Sequence, residues 1–244
     1  MSSTGRSDVR DPEDFYRTPQ WAARVMVAHL PPLAGKRICE PSAGAGAIVS
    51  ALIEGGATPS LITAIEPNVA RAASLAVLGV NVVTSTLEAY VAASADERFQ
   101  IVASNPPFSL AEPHIDIMCR MLAPRDWSDR VEVAPTVAAL VRLPFLAEGQ
   151  CRAKFRREHP HDRVELVRRP SFTAEALPFL TDDELRAMAL PAKKPKAWKG
   201  EWTPRDETIA EVRARLSRTD SCAYAIGYFG EGRGGRFITH EETE

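Results

Sequence analysis

Cysteine is scarce in this chain, long apolar runs are missing, and neither sign of charge dominates. The four cysteines, Cys39, Cys119, Cys151 and Cys222, are widely scattered and form no CxxC pair. No zinc site or disulfide framework is implied, and reduced thiols are expected. His159 and His161 form the only close histidine pair, which is too little for a metal site, so no metal is expected. No stretch approaches the roughly 20 apolar residues of a membrane-spanning helix, and the polar N-terminus lacks the basic and apolar regions of a secretory signal. A cytoplasmic protein without membrane attachment is the expectation. Lys and Arg number 30 against 32 Asp and Glu, a net charge of −2. The molecule as a whole is no polycation, so any contact with nucleic acid must come from a local basic surface.

What the chain does contain is strand and helix in alternation. Residues 1–14 are polar and charged, and a mobile tail is expected there. Thr18 is placed to cap a helix with Pro19 at its first position, and Pro31-Pro32 ends it. Lys36–Glu40 reads as a strand, followed by a helix over 47–54. Leu61–Glu66 precedes a helix over 68–78, and Val80–Thr84 a short one over 87–93. Phe99–Ser104 precedes a longer helix near 112–122. This order predicts an α/β fold, a doubly wound Rossmann-like sheet of about seven mostly parallel strands. Val133–Leu143, Arg163–Val167 and Cys222–Phe229 read as its later strands, with a charged helix over 148–158. Residues 172–219 hold Pro178, Pro191, Pro195 and Pro204 and two expected helices. They read as an insertion that splits the main domain into 15–171 and 220–240.

Two turns carry candidate chemistry. Residues 38–46, ICEPSAGAG, end a strand on an acid and pass through a Gly-x-Gly turn into a helix. Gly44 and Gly46 let backbone approach a ligand without interference from Cβ. A dinucleotide turn would carry a third glycine where Val49 stands, which disfavours a nicotinamide dehydrogenase. Glu40, four residues before Gly44, would repel a pyrophosphate but suits a ligand with a cationic amino group. Glu66 ends the next strand at about the ~20-residue distance where an acid commonly binds ribose. Either feature alone reads equally well as a tight turn with surface acids. Together they fit an adenosine with a charged amino-acid tail, S-adenosyl-L-methionine.

The second turn is SNPPF, residues 104–108. Prolines cannot continue a sheet interior, so the strand stops here. An exocyclic amine on a base is a poor nucleophile because its lone pair is delocalised into the ring. Two acceptors on its N–H groups favour a pyramidal nitrogen and aim it at an electrophile. Asn105 offers a side-chain oxygen, Pro106 and Pro107 offer carbonyls on rigid backbone, and Phe108 offers a flat stacking face. The alternative is a proline-rich loop whose Phe108 packs into the core.

With these residues the chain resembles the class I S-adenosylmethionine-dependent methyltransferases, in the amino-methylating branch with an (N/D/S)PP(Y/F) motif. It is most similar to small DNA adenine-N6 methyltransferases of phages and prophages. The likeness runs through DFYRTP (14–19), EPSAGAG (40–46), EP (66–67), SNPPF (104–108), RLPFL (142–146), RRPSF (168–172) and TDSCAYA (219–225). The resemblance implies that Tyr16 and Thr18 help hold the methionine end of the cofactor. It implies that Glu40, Ala43, Gly44 and Gly46 line its amino-acid portion and Glu66 its ribose. Asn105, Pro106, Pro107 and Phe108 would hold the amine and base. Where the family often has an acid for the cofactor's adenine amine, this chain has Thr86 followed by Leu87. The insertion at 172–219 has no counterpart in the family.

Basic residues cluster twice. Arg152, Lys154, Arg156 and Arg157 lie in one group, and Lys193, Lys194 and Lys196 lie beside Trp198 in another. Both suit phosphate contact, or else are solvated faces. DNA is the expected partner, with a target adenine flipped out to reach Phe108. An RNA methyltransferase for adenine N6 or guanine N2 is the alternative of the same class. A protein glutamine methyltransferase would gain nothing from the basic clusters. From another class, a non-catalytic nucleic-acid-binding module is the rival; the intact Glu40, Gly44, Gly46 and Asn105 argue against it.

Overall fold

Strands that are buried along their length must be covered on both faces, and this chain has several. β1 (Ile38–Glu40), β2 (Ile62–Ile65) and β4 (Ile101–Ser104) are buried throughout, and β5 (Thr136–Arg142) is buried up to its last residue. β3 (Asn81–Val83) is partly exposed, as befits an edge. The later strands are β6 (His161–Leu166), β7 (Tyr224–Phe229) and β8 (Phe237–His240). They form one eight-stranded sheet in the order β3-β2-β1-β4-β5-β7-β6-β8. The first five strands are parallel, and β7 lies antiparallel between β5 and β6. The computed structural model describes residues 17–124, 134–146, 152–166, 181–187, 189, 192, 205–216, 223–231, 233–234 and 236–240.

Helices wrap both faces. α1 (Gln20–Ala28), α2 (Ala47–Glu54) and α3 (Val69–Ala76) cover one core, which includes Met26, Ile48, Leu52, Leu75 and Tyr228. α4 (Leu87–Ala93), α5 (Ala111–Arg120), α6 (Leu143–Leu146) and α7 (Ala153–Glu158) cover the other, around Phe99, Ile115, Met118 and Phe229. Local chemistry starts several of them. Asn68 caps α3 by accepting the N–H groups of Ala70 and Arg71, and Thr86 caps α4 by accepting that of Ala89. The Tyr228 hydroxyl donates to the Met26 carbonyl at 2.9 Å, tying β7 to α1.

The expected helices over 47–54 and 87–93 form at those residues. Thr18 departs from its expected place. Pro19, not Thr18, occupies the cap position of α1, and no side chain caps that helix. The Thr18 hydroxyl is used elsewhere, as described below. Within 172–219 the described residues include α8 (Asp182–Ala187) and α9 (Ile209–Leu216). These two pack on each other, with Leu185 and Val212 buried and Arg213 Nη2 3.3 Å from Asp182 Oδ1. Thr208 and Glu211 start α9 with a reciprocal cap: the Thr208 N–H donates to Glu211, and the Glu211 N–H to the Thr208 hydroxyl.

β8 goes beyond the expected strands, and its anchor explains why. Four residues after a glycine-rich stretch carry no readable periodicity. One carboxylate holds the segment instead. Asp162 on β6 accepts from the Gly234 and Arg236 N–H groups and from both the Arg233 and Arg236 guanidinium groups. These bonds offset the cost of burial and bring its pKa down to about 2. The stabilisation is therefore present above the unfolded carboxyl's range and is lost as pH falls through about 2. Arg236 is largely exposed, so screening limits the contribution to about 1–2 kcal/mol. Asp162→Asn is expected to lower the thermal midpoint by about 2–8 °C at neutral pH, with the gap closing as pH drops toward 2. Equal midpoints at neutral pH would remove Asp162 as the anchor of β8.

Candidate active site

The order of the sheet reverses at β1, whose neighbours are β2 on one side and β4 on the other. Turns leaving the two strands part there and open a crevice at their carboxyl ends. A cavity of about 380 Å³ occupies it. Thr18, Glu40, Ala43, Gly44, Glu66, Thr86, Leu87 and Asn105 line it together with Pro106, Pro107 and Phe108. Residues drawn from four strand ends and the approach to α1 thus meet around one space.

Glu40, the last residue of β1, is 1% exposed. The Val49 N–H supports the carboxylate, but its Oε2 has no hydrogen-bond partner. Burial pushes the Glu40 pKa well above the ordinary carboxylate range, and the charge of Glu66 pushes it the same way. A buried acid with an orphaned oxygen beside a cavity is a receptor for a cation or a strong donor.

Glu66 is also buried, but both its oxygens have protein partners. Oε2 accepts the Gly44 N–H at 2.8 Å, and Oε1 accepts the Asn68 N–H at 2.9 Å and Arg71 Nε at 2.8 Å. It joins the turn after β1 to the start of α3. An oxygen can accept two bonds, so Oε2 keeps capacity toward the cavity.

The two glycines divide their work. Gly44 has φ +53° and lines the cavity. Gly46 does not line it, contrary to expectation. At φ +82° it is the residue before α2, and a Cβ there would meet Leu75 Cδ2 at 2.8 Å. Its missing side chain lets α3 approach the turn; it does not clear space for a ligand.

At the end of β4, Asn105 Nδ2 donates to Thr18 Oγ1 at 3.0 Å. This bond joins residues 87 apart and directs the amide nitrogen to Thr18, leaving the oxygen on the other branch. Phe108 packs its ring against the Tyr224 ring, 5.6 Å between centroids, with the Arg142 guanidinium 5.1 Å from its own centroid.

Toward β3, Thr86 lines the cavity, but its hydroxyl already accepts the Ala89 N–H. Two residues not anticipated stand beside it. His114 of α5, 5% exposed, places Nε2 3.0 Å from Glu88 Oε1, and its Nδ1 is buried without a partner. Both line the cavity, as do Arg17 and Arg71. Glu88 and His114 are 26 residues apart, so no local spacing announces the pair.

Tyr16, Lys193, Lys194, Lys196 and Trp198 lie outside the described residues. So do the RRPSF segment and the first part of TDSCAYA. Of the first basic cluster, Arg152 is held by Glu112 at 2.9 Å and stacks on Phe145 at 4.2 Å. Lys154 is exposed, with Glu158 Oε1 at 3.7 Å. Arg157 is exposed and Arg156 half-buried. Among the described residues no group of three or more His, Cys, Asp or Glu is gathered to hold a metal, and no helix is long and apolar enough to cross a membrane.

No protein-family model matches the chain, and no curated protein matches it. Solved structures do. A protein described as a modification subunit of a type I restriction enzyme from Vibrio vulnificus has a TM-score of 0.57 at 15% identity, covering 96% of this chain and 48% of that one. A chain from a structure of a type I restriction–modification system has a TM-score of 0.56 at 15% identity, over 97% and 47%. A protein described as an RNA methyltransferase from Pyrococcus horikoshii has a TM-score of 0.51 at 16% identity, over 88% and 86%. This chain spans about half the length of the first two. At such identities these likenesses show the fold alone, a Rossmann-like α/β architecture.

The state of Glu40 yields a test that needs no activity. Because its folded pKa is raised, its contribution to stability is present at low pH and lost as pH rises through that pKa. Glu40→Gln removes the buried ionisation and is expected to raise the thermal midpoint at neutral pH and flatten its decline with rising pH. Each 1 kcal/mol gained corresponds to roughly 2–4 °C. An unchanged or lowered midpoint across the pH range would show that the buried charge carries no penalty.

Proposed function

We propose that the protein is an S-adenosylmethionine-dependent N-methyltransferase acting on an exocyclic amine in nucleic acid, with adenine N6 of DNA as the leading target. The observation that carries this reading is a single cavity bounded on one side by the orphaned Glu40 carboxylate and on the other by Asn105-Pro106-Pro107-Phe108. The first suits a cationic amino group, the second an amine on a flat ring.

The residues fit the cofactor in three places. Glu40 takes the ammonium of its amino-acid tail, which gives the carboxylate the countercharge the protein withholds. Gly44 and Ala43 bring backbone against that tail, and the remaining capacity of Glu66 Oε2 faces the ribose. Thr86, Leu87 and the Glu88–His114 pair supply the end nearest β3, for the adenine. When bound, the sulfonium supplies an electrophilic methyl: the amine lone pair forms the new N–C bond as the S–C bond breaks, and the amine then gives its proton to solvent.

The chain's own part is placement. Thr18 holds Asn105 Nδ2, so the side-chain oxygen is the branch presented to one N–H of the amine. The backbone carbonyl at Pro106 is suited to the other. Phe108 supplies the plane against which the ring is aligned.

DNA is favoured by the resemblance at the N-terminal TP segment and the RPSF and AYA segments, and by neighbours from restriction–modification systems. An RNA methyltransferase is the second reading, favoured by a neighbour so described whose length this chain nearly matches.

Incubation with labelled S-adenosylmethionine and unmethylated genomic DNA, tRNA or rRNA, followed by nucleoside analysis, names polymer and atom together. Label in N6-methyladenine of DNA is expected; label only in RNA selects the second reading, and failure to bind the cofactor at millimolar concentration sinks both. Asn105→Ala is expected to lower methyl transfer by roughly 100-fold or more while cofactor binding stays within about threefold. Comparable transfer would remove Asn105 from the mechanism.

A further inference from the structure

The Thr18 hydroxyl accepts one bond and has its own hydrogen still to place. Its Oγ1 takes Asn105 Nδ2 at 3.0 Å, so the O–H must find an acceptor elsewhere. No described residue supplies one. Thr18 is buried, 9% exposed, and lines the cavity. A buried donor without an acceptor costs free energy, and the cavity is where an acceptor can arrive.

Both partners of this bond precede a proline, Pro19 and Pro106, which restricts their backbones. Pro19 is tied to α1, its carbonyl accepting the Ala23 N–H at 3.1 Å. The freedom left at the contact belongs to the Asn105 amide, which can turn end for end, and to the Thr18 hydrogen. Two pairings follow. In one, Thr18 accepts from the amide nitrogen and donates into the cavity. In the other, Thr18 donates to the amide oxygen, and the amide nitrogen becomes the branch offered to the incoming amine. Two N–H donors facing each other repel, so only the first pairing receives an amine.

The cofactor's amino-acid tail carries an ammonium and a carboxylate on one carbon. With the ammonium at Glu40, the carboxylate beside it needs a donor, and the ionised Glu40 and Glu66 have none to give. We infer that Thr18 couples the cofactor site to the acceptor site. Its O–H donates to the tail carboxylate, which commits Oγ1 to accepting Asn105 Nδ2 and fixes the Asn105 oxygen toward the amine. Thr18 is thus a positioning residue, and a filled cofactor site becomes a condition for a competent acceptor site. The inference rests on the methyltransferase reading above and adds this dependence to it.

The test uses the full chain, whichever of unmethylated genomic DNA and total RNA takes label, and two methyl donors. One is S-adenosylmethionine; the other is its decarboxylated form, which keeps the ammonium and the sulfonium. At saturating donor the wild type is expected to turn over roughly tenfold more slowly with the decarboxylated form. In Thr18→Val the two donors should give the same kcat within about twofold, and Thr18→Ser should restore the gap. Calorimetry supplies a readout apart from turnover. Thr18→Val should weaken S-adenosylhomocysteine roughly tenfold and leave 5′-methylthioadenosine, which lacks the tail, within about twofold. Retained binding of the second ligand also shows that the variant is folded. If the wild type shows no gap between donors, or Thr18→Val keeps it, the Thr18 inference falls and the methyltransferase reading stands. If the wild type does not bind S-adenosylhomocysteine, or methylates neither polymer, that reading falls and takes the inference with it.

Discussion

Glu66 holds the crevice together. Its carboxylate spans the two turns that leave β1 and β2, accepting the Gly44 N–H on one oxygen and the Asn68 N–H and Arg71 on the other. Without it the glycine turn and the start of α3 would have no common partner, and a buried N–H at Gly44 would be left unpaired. A residue expected from its spacing to serve a ligand serves the frame first.

Beside this satisfied acid stands an unsatisfied one. Glu40 sits equally deep, with one oxygen lacking a partner and a pKa raised by burial. Placing two carboxylates so close is unfavourable unless something neutralises one of them. Arg71 does so for Glu66, and no arginine is hydrogen-bonded to Glu40 among the described residues. The contrast separates an acid satisfied by the protein from one that is not more sharply than sequence position does. Such a deficit is characteristic of sites built to receive charge, where stability is given up for affinity.

Much of the fold was legible because it depends on short-range rules. Mostly apolar strands alternating with helical segments required a parallel sheet covered on both faces, and the helices over 47–54 and 87–93 form where that alternation put them. β8 was not legible, because an ion cluster on Asp162 anchors it and no apolar pattern does. Thr18 was misread as a cap for a related reason. Its hydroxyl had two possible uses, and the nearer one in sequence was not the one adopted.

The sequence by itself determined the alternation of elements, the strand stop at SNPPF, the glycine turn, and the acids at two strand ends. Each is set by dihedral limits, period or capping within a few residues. Only the tertiary structure decided how these residues divide their work. It gave Gly46 to helix packing, Glu66 to bridging turns, and Glu40 to an unpaired position. It also brought Thr18 to Asn105, His114 to Glu88, and Arg142 over Phe108. Those meetings join residues 26 or more apart. They follow from sheet order and register, which no local pattern of side chains encodes.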